Sequence, residues 1–394
     1  LIRQVRPIFW QILNASSRRP QLKSFGDNVR KFTYLAILVC ASGSASAQSQ
    51  VDVYGIADLG VHYSRGMNAG NTPVSGASVG SSLALNSGVN NTSRWGFKGQ
   101  EDLGAGVAAV FQFEGGLNFD TGTSAKPDKL FDRLSFVGIK SNYGNLTAGR
   151  QATILSDAIS SVDPLGMRYA SFNPNINITA LSNTAFGTHA FGVQYGSSGY
   201  ADNYYRLDNM VKYTLETGPY TVRSSYSFGE VAGSNSALSS VAAGLAYQRD
   251  GWSVSGAYMK LKNSAGFNLQ AYTLGVAYQY GGLVFRANAG DNSAETGPGK
   301  QTRQRIASAG VAYSINPELN LTTAYYRVRR EASTYSDDGF DRSFVYLEQA
   351  LSKRSILYVE TDYTCWKGNA AGITAGQANS GRGLGLTLGL MHKF

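Results

Sequence analysis

The chain has 394 residues, with Gly 46 and Tyr 24 set against Pro 9 and Cys 2, and only 15% of its residues are charged. Length alone suggests two or three mixed domains, but this composition points instead to many strands and turns. The formal net charge of +9 is uneven: residues 1–47 hold seven Lys/Arg and one acid, leaving 28 of 35 basic and 25 of 26 acidic residues for the remainder, a net +3 that takes away the main support for nucleic-acid binding.

Arg30 and Lys31 precede the apolar run Phe32 to Ala41, and Ala45-Ser46-Ala47 closes it. That is the pattern of a secretory signal peptide cleaved before Gln48. Residues 1–29 are expected to be an over-extended start that adds no structure, residues 30–47 the signal peptide, and residues 48–394 the folded barrel. The apolar run is far short of the roughly twenty residues a spanning helix needs, and no later stretch is longer. Cys40 lies in the leader behind Val39, where a lipoprotein site wants a small residue. Cys365 then stands alone, so no internal disulfide can form.

From Val51 the chain settles into strands of about ten residues with alternating faces. Val51, Val53, Ala57, Leu59 and Val61 share one face, and Asp52, Tyr54, Asp58 and His62 the other. After a Gly/Ser/Asn-rich loop at 64–91, Trp95 and Phe97 oppose Arg94, Lys98 and Gln100. Beyond a tight turn at 102–106, Val107, Ala109, Phe111, Phe113, Leu117 and Phe119 oppose Gln112, Glu114, Asn118 and Asp120.

Short turns and long loops then alternate. Short ones are predicted at 102–106, 142–145, 216–219, 248–251, 280–282, 315–318 and 352–354. Long ones are predicted at 64–91, 121–129, 152–203, 230–237, 262–267, 291–301, 331–341 and 367–381. Seven turns and eight loops join sixteen strands, with the asymmetry of an outer-membrane barrel. Trp95 and Trp366 fall beside predicted outer loops and Trp252 after an inner turn, as interface girdles require. In the last strand Leu384, Leu386, Leu388 and Leu390 face one way and Gly383, Gly385, Thr387 and Gly389 the other. This strand can close the barrel against the first.

The predicted fold is therefore all-β, a 16-stranded antiparallel transmembrane barrel. A barrel of that size leaves an aqueous channel. Residues 152–203 are too many for a surface connection, and folding them inward as a constriction loop would set the pore size.

The segment Ser93-Arg94-Trp95-Gly96-Phe97-Lys98-Gly99-Gln100-Glu101-Asp102-Leu103-Gly104-Ala105-Gly106 resembles the Gram-negative general porins of the beta-proteobacterial branch. Val53-Tyr54-Gly55, Phe131-Asp132-Arg133, Gly149-Arg150-Gln151, Leu351-Ser352-Lys353-Arg354 and the terminal Met391-His392-Lys393-Phe394 carry the same likeness, which spans Gln50 to Phe394. The resemblance implies a homotrimer in the outer membrane, among its lipids and lipopolysaccharide, passing small hydrophilic solutes and ions with a weak anion preference. It implies an arginine ladder on the barrel wall facing the third outer loop. Arg94, Arg133 and Arg206 match the wall arginines, and Arg150 and Arg286 fall near inward positions by alternation. Asp157 and Asp163 are the loop acids, and Glu114 joins the pore set on its inward face. The loop itself departs from the family's usual form. Phe394 would be part of the signal read by the barrel-assembly machinery.

An arginine row in a narrow bore concentrates anions. Alternatively, each arginine is paired with a carboxylate and stiffens the wall. Catalytic signals are poor. Gly76-Ala77-Ser78-Val79-Gly80 resembles a nucleophile elbow but lies in a loop rather than between strand and helix. His62, His189 and His392 are scattered without metal-ligand spacing. The Asp337-to-Asp341 cluster reads more readily as a turn than as a calcium site, and Gly297-Pro298-Gly299-Lys300 is no phosphate loop. No catalytic residue, metal or cofactor is expected. An outer-membrane enzyme would need a Ser/His or acid/His set on the rim, where only His189 is available; an adhesin or phage-receptor role of the outer loops is compatible with a channel.

Overall fold

The computed structural model describes residues 49–66, 81–168, 194–198, 205–332, 335–367 and 382–394, the side chains of 49 and 335–338 excepted. The predicted leader, Gly76 to Gly80 and His189 lie outside these residues.

The first strands are β1 (Ser49–Arg65), β2 (Ser81–Ser87), β3 (Arg94–Gly104), β4 (Val107–Asn118), β5 (Thr123–Ser124), β6 (Leu134–Ser141) and β7 (Gly144–Ala152). A short helix, α1 (Ile154–Ser160), follows. The remaining strands are β8 (Arg206–Thr217), β9 (Tyr220–Ser227), β10 (Ser240–Arg249), β11 (Trp252–Lys262), β12 (Asn268–Tyr280), β13 (Leu283–Gly297), β14 (Lys300–Ser314), β15 (Leu319–Ala332), β16 (Tyr335–Ala350), β17 (Ser355–Lys367) and β18 (Arg382–Lys393).

All pairings are antiparallel, and the sheet closes because β1 pairs with β18 from Ile56↔Lys393 to Arg65↔Leu384. On its other edge β1 takes β3 over Ser49–Ile56 and β2 over Leu59–Arg65. Thus β2 and β3 are two lengths of one barrel strand, interrupted where Asp58 accepts a hydrogen bond from Asn91 N and one from the Ser93 hydroxyl reaches its carbonyl. The two-residue β5 pairs only with the tip of β4. Sixteen barrel strands result, as predicted. Because the last strand pairs with the first, the described barrel ladder has no open end.

The period-two pattern sorts the wall. Leu384, Leu386, Leu388 and Leu390 are 42–55% exposed on the outside. The small residues between them line the inside because large inward neighbours cross them: a Cβ on Gly385 would stand 2.2 Å from Asp362 Oδ2, and one on Gly389 2.3 Å from the Tyr358 hydroxyl.

Two of the long loops predicted from sequence prove to be mostly strand. Residues 291–297 and 300–301 continue β13 and β14 to a tight turn at Pro298-Gly299, and residues 335–341 belong to β16. Their Asn, Ser, Asp and Arg content reads as loop, but the chain stays in the ladder there with one face, including Asn292, Ala294 and Phe340, buried. The Trp366 side chain also departs from expectation. It points inward, 7% exposed, against Phe340, so it is not a girdle residue. Trp252 is outward at 47% exposure.

Candidate functional site

The wall between β1 and β8 gathers the charged side chains. Glu114, on the inward face of β4, is buried and is the hub. It accepts a hydrogen bond from Arg133 Nε at 2.6 Å and from the Tyr54 hydroxyl at 2.8 Å, with Arg94 Nε at 3.6 Å. Arg94 also donates to Asn91 Oδ1 at 3.1 Å. Gln112 donates to the Tyr54 oxygen at 2.6 Å, which fixes the ring. Arg133 stands just before β6, held there because its backbone N–H extends the ladder to Glu114 O at 3.1 Å.

Arg150 and Arg206 lie beside this group. Arg150 donates from NH1 to Asp208 Oδ1 and from Nε to the Asp132 carbonyl, both at 2.5 Å. Lys129 reaches the other Asp208 oxygen at 2.7 Å. Arg206 is within electrostatic range of Arg133, Arg150 and Glu114, its guanidinium 4.1 Å over the Tyr205 ring. Its buried Nε finds no hydrogen-bond partner among the described residues. Four guanidinium groups thus share one stretch of wall with two carboxylates that bond to them, and cations packed this way repel unless an anion comes near.

Nearby, Lys126 sits in the connection between β5 and β6. Burial first, then the positive charge of Arg150 and Lys129, pulls its ammonium down from the usual lysine range to about 8.

The described part of the third outer loop runs along the inner wall. Thr153 caps α1 by accepting Ser156 N, and Ile154, Val162 and Pro164 sit over glycines. A Cβ at Gly244 would be 2.5 Å from Ile154, one at Gly275 2.4 Å from Val162, and one at Gly310 2.9 Å from Pro164. Ile154 and Leu155 pack with Met210, Met259, Leu261 and Leu269, while Leu165 packs with Tyr326, Phe340 and Phe344. Loop and wall are therefore held by apolar contacts that the alternation in the strands leaves facing inward.

The loop acids take partners other than the wall trio. Asp157 accepts from Lys212 Nζ at 3.0 Å, with Arg223 Nε at 3.8 Å. Asp163 is buried and accepts from the Tyr326 hydroxyl at 2.8 Å and Met167 N at 2.7 Å. Arg286 lies in its electrostatic field and in that of Arg168. Arg286 NH1 has no hydrogen-bond partner among the described residues, whereas Arg168 pairs with Glu348 at 2.6 Å. The eight predicted residues therefore fall into three groups: Arg94, Arg133, Arg206, Arg150 and Glu114 together, Asp157 apart, and Asp163 with Arg286 farther round.

Sequence reading missed Tyr54, Lys126, Lys129 and Asp208. Tyr54 stands on an inward position of a strand already read, so alternation could have raised it. Lys126 and Lys129 lie in a connection, where alternation gives no facing, and Asp208 lies two residues after Arg206 in β8, where its parity could have raised it. It also missed a second buried polar set: Arg342 pairs with Asp362 at 2.5 Å, Thr387 donates to Glu360 at 2.9 Å, and His62 Nδ1 is 2.9 Å from the Thr387 hydroxyl.

A closed sixteen-stranded barrel, apolar outside and charged within, defines an outer-membrane channel protein. Residues 35–369 match the profile of the Gram-negative porin family, and the chain belongs to that family. An outer membrane porin protein of Bordetella pertussis is 36% identical over 160 residues, 38% of this chain and 40% of that protein. Outer membrane porin protein 32 of Delftia acidovorans is 26% identical over 380 residues, 91% of this chain and 98% of that one. Among solved structures, an anion-selective porin from Comamonas acidovorans superposes with a TM-score of 0.70 at 21% identity, covering 88% of this chain and 100% of its own. OmpT, an outer membrane protein of Vibrio cholerae in its trimer form, gives 0.62 at 16% identity, covering 88% and 99%. The chain is an outer-membrane porin.

Proposed function

We propose that this porin is a passive, weakly anion-selective channel for small hydrophilic solutes, and not an enzyme. The observation that carries this reading is the group Arg94, Arg133, Arg206 and Arg150 on one stretch of wall, with Glu114 paired to the first two and Asp208 to the last. In a bore with low-dielectric walls, an excess of fixed positive charge lowers the entry cost for anions and raises it for cations. Glu114 and Asp208 hold the guanidinium groups in place and temper the field, so the preference is weak.

In this reading the third outer loop narrows the lumen and sets the size limit. Asp157 and Asp163 anchor it, the first to Lys212 and the second to Tyr326. The anion selectivity of the Comamonas porin and the trimer form of OmpT agree with an anion-preferring homotrimer. Outer-membrane lipids and lipopolysaccharide surround the wall, and Phe394 takes part in recognition by the barrel-assembly machinery. Residues 30–47 act as the signal peptide.

The test is conductance of purified protein in planar bilayers under a salt gradient. Ion-conducting steps, grouped in threes, with a reversal potential of anionic sign are expected. Inserted protein that conducts nothing, or that prefers cations, overturns the proposal.

A further inference from the structure

The barrel closes where β18 lies between β1 and β17, and inward positions of that seam are polar. In one row Ser64, Gly385 and Asp362 stand side by side across the three strands, and in the next His62, Thr387 and Glu360 do. A spacing of two along each strand puts both rows on one face. All five side chains are buried, none more than 1% exposed. Gly385 contributes no side chain, so the Asp362 carboxyl leans over it into the space a Cβ would need.

Hydrogen bonds account for only part of this set. Arg342 donates from Nε and NH2 to Asp362 Oδ1, at 2.9 and 2.5 Å. Thr387 donates to Glu360 Oε2 at 2.9 Å, so in the 2.9 Å bond between its oxygen and His62 Nδ1 the imidazole is the donor. Four buried atoms of the two rows have no hydrogen-bond partner among the described residues: Ser64 Oγ, Asp362 Oδ2, Glu360 Oε1 and His62 Nε2. Asp58, farther down β1, differs, because the Tyr358 hydroxyl at 2.7 Å and Asn91 N at 2.5 Å take both its oxygens. Among the described residues Arg342 is the one cation in the electrostatic field of both seam carboxyls. Two carboxylates and one guanidinium leave one negative charge in excess. A buried charge without a counter-charge is costly, and unsatisfied oxygens beside it add to the cost.

We propose that this seam binds a monovalent alkali cation, with Asp362 Oδ2, Glu360 Oε1 and Ser64 Oγ as its protein ligands and water completing its shell. One positive charge balances the set, and hard cations are held by oxygen ligands. A divalent ion would overshoot the single excess charge. Among the described residues no three His, Cys, Asp or Glu side chains come together to hold a metal ion, so His62 stays outside the ligand set and holds the Thr387 hydroxyl. The cation joins a residue of β1 to two of β17 across β18, and it braces the sheet where its last strand meets its first. The inference rests on the closed wall and not on the selectivity of the bore.

The experiment uses the full barrel in detergent with EDTA present. Its thermal unfolding midpoint is followed at one pH and one ionic strength as choline chloride is replaced by lithium, sodium or potassium chloride. At least one alkali salt is expected to raise the midpoint in a saturable way. Glu360→Gln keeps an acceptor for Thr387 and removes the excess charge, and it is expected to lose this shift, whereas Glu114→Gln, on another part of the wall, keeps it. Equal midpoints in all four salts, the result if a proton or a water satisfied these atoms, overturn the proposal. A shift that survives in Glu360→Gln, or one lost equally in Glu114→Gln, overturns it too. Should Glu360→Gln fail to fold, Ser64→Ala is expected to raise the alkali concentration at half the shift about threefold to tenfold, and no change there overturns it equally.

Discussion

Arg133 Nε donates to Glu114 Oε1 across 2.6 Å inside the barrel, joining a residue just before β6 to the inward face of β4. Because Glu114 also meets Arg94 and Tyr54, it is both the brace of the arginine group and the main local offset to its charge. Glu114→Gln should leave the barrel folded and strengthen anion preference, read as a larger anionic reversal potential in a salt gradient. Arg133→Ser should do the opposite. A shift of the same sign in both variants would show that the pair does not govern selectivity.

Paired and unpaired arginines should differ. Arg150 is tied to Asp208 and the Asp132 carbonyl, whereas Arg206 Nε has no hydrogen-bond partner among the described residues. Arg206→Gln is expected to lower anion preference more than Arg150→Gln, since the latter releases a carboxylate that Lys129 still holds. Reversal potentials of the two variants in the same gradient check the order.

The Lys126 ammonium, drawn down to about 8 by burial and by Arg150 and Lys129, makes selectivity pH-dependent. Below that value it is charged and adds to the anion-attracting field; above it the charge is lost. Anion preference should therefore decline between about pH 7 and 9, and the decline should be absent in Lys126→Met. For stability the sign is reversed. The unfolded chain binds the proton up to about pH 10.4, so between about 8 and 10.4 the unfolded state holds more protons and this group's penalty on folding is relieved as pH rises. Reversal potentials and thermal midpoints over pH 6.5–9.5 test both statements.

The loop is seated on glycines, so it should come loose when one is filled. Gly275→Val would put side-chain atoms where Val162 now lies, at a cost of about 1–3 kcal/mol. Leu165→Ala, which empties a fully buried position, should cost about 2–5 kcal/mol of loop seating. Both variants are expected to change single-channel conductance and to make the loop more susceptible to protease while the barrel remains intact. Unaltered conductance in both would separate the loop from pore size.

Phe394 and Gly55 exchange backbone hydrogen bonds at 3.1 and 3.0 Å, and the Phe394 ring occupies the space a Cβ on Gly55 would need. Gly55→Leu should therefore slow closure of β1 on β18, read as a smaller fraction of compact, heat-modifiable barrel on gels. Deleting Phe394 should lower that fraction in cells more than in detergent refolding, if the residue is also read by the assembly machinery.

Much of the wall was legible from sequence because its code is local. In a strand each side chain's face follows from its parity, so the outward leucines of β18 and the inward Asp58, His62 and Glu114 could be assigned without knowing any partner. The same rule failed where locality ends. Polar strand extensions at 291–301 and 335–341 carry few large apolar side chains and read as loop, and Trp366 was assigned to a girdle from its neighbourhood when its parity with Tyr358, Glu360 and Asp362 places it inside.

By itself the sequence determined the strand periodicity, the count of sixteen and the apolar exterior, all of which depend on residues within a few positions of one another. Only the closed barrel decided which charges meet: Glu114 with Arg133 and Arg94, Asp208 with Arg150 and Lys129, Asp157 with Lys212 rather than the wall trio, and three cations on Asp341. Those meetings join connections and neighbouring strands through register, stagger and curvature, and a Coulomb interaction depends on the resulting distance, which no spacing along the chain encodes.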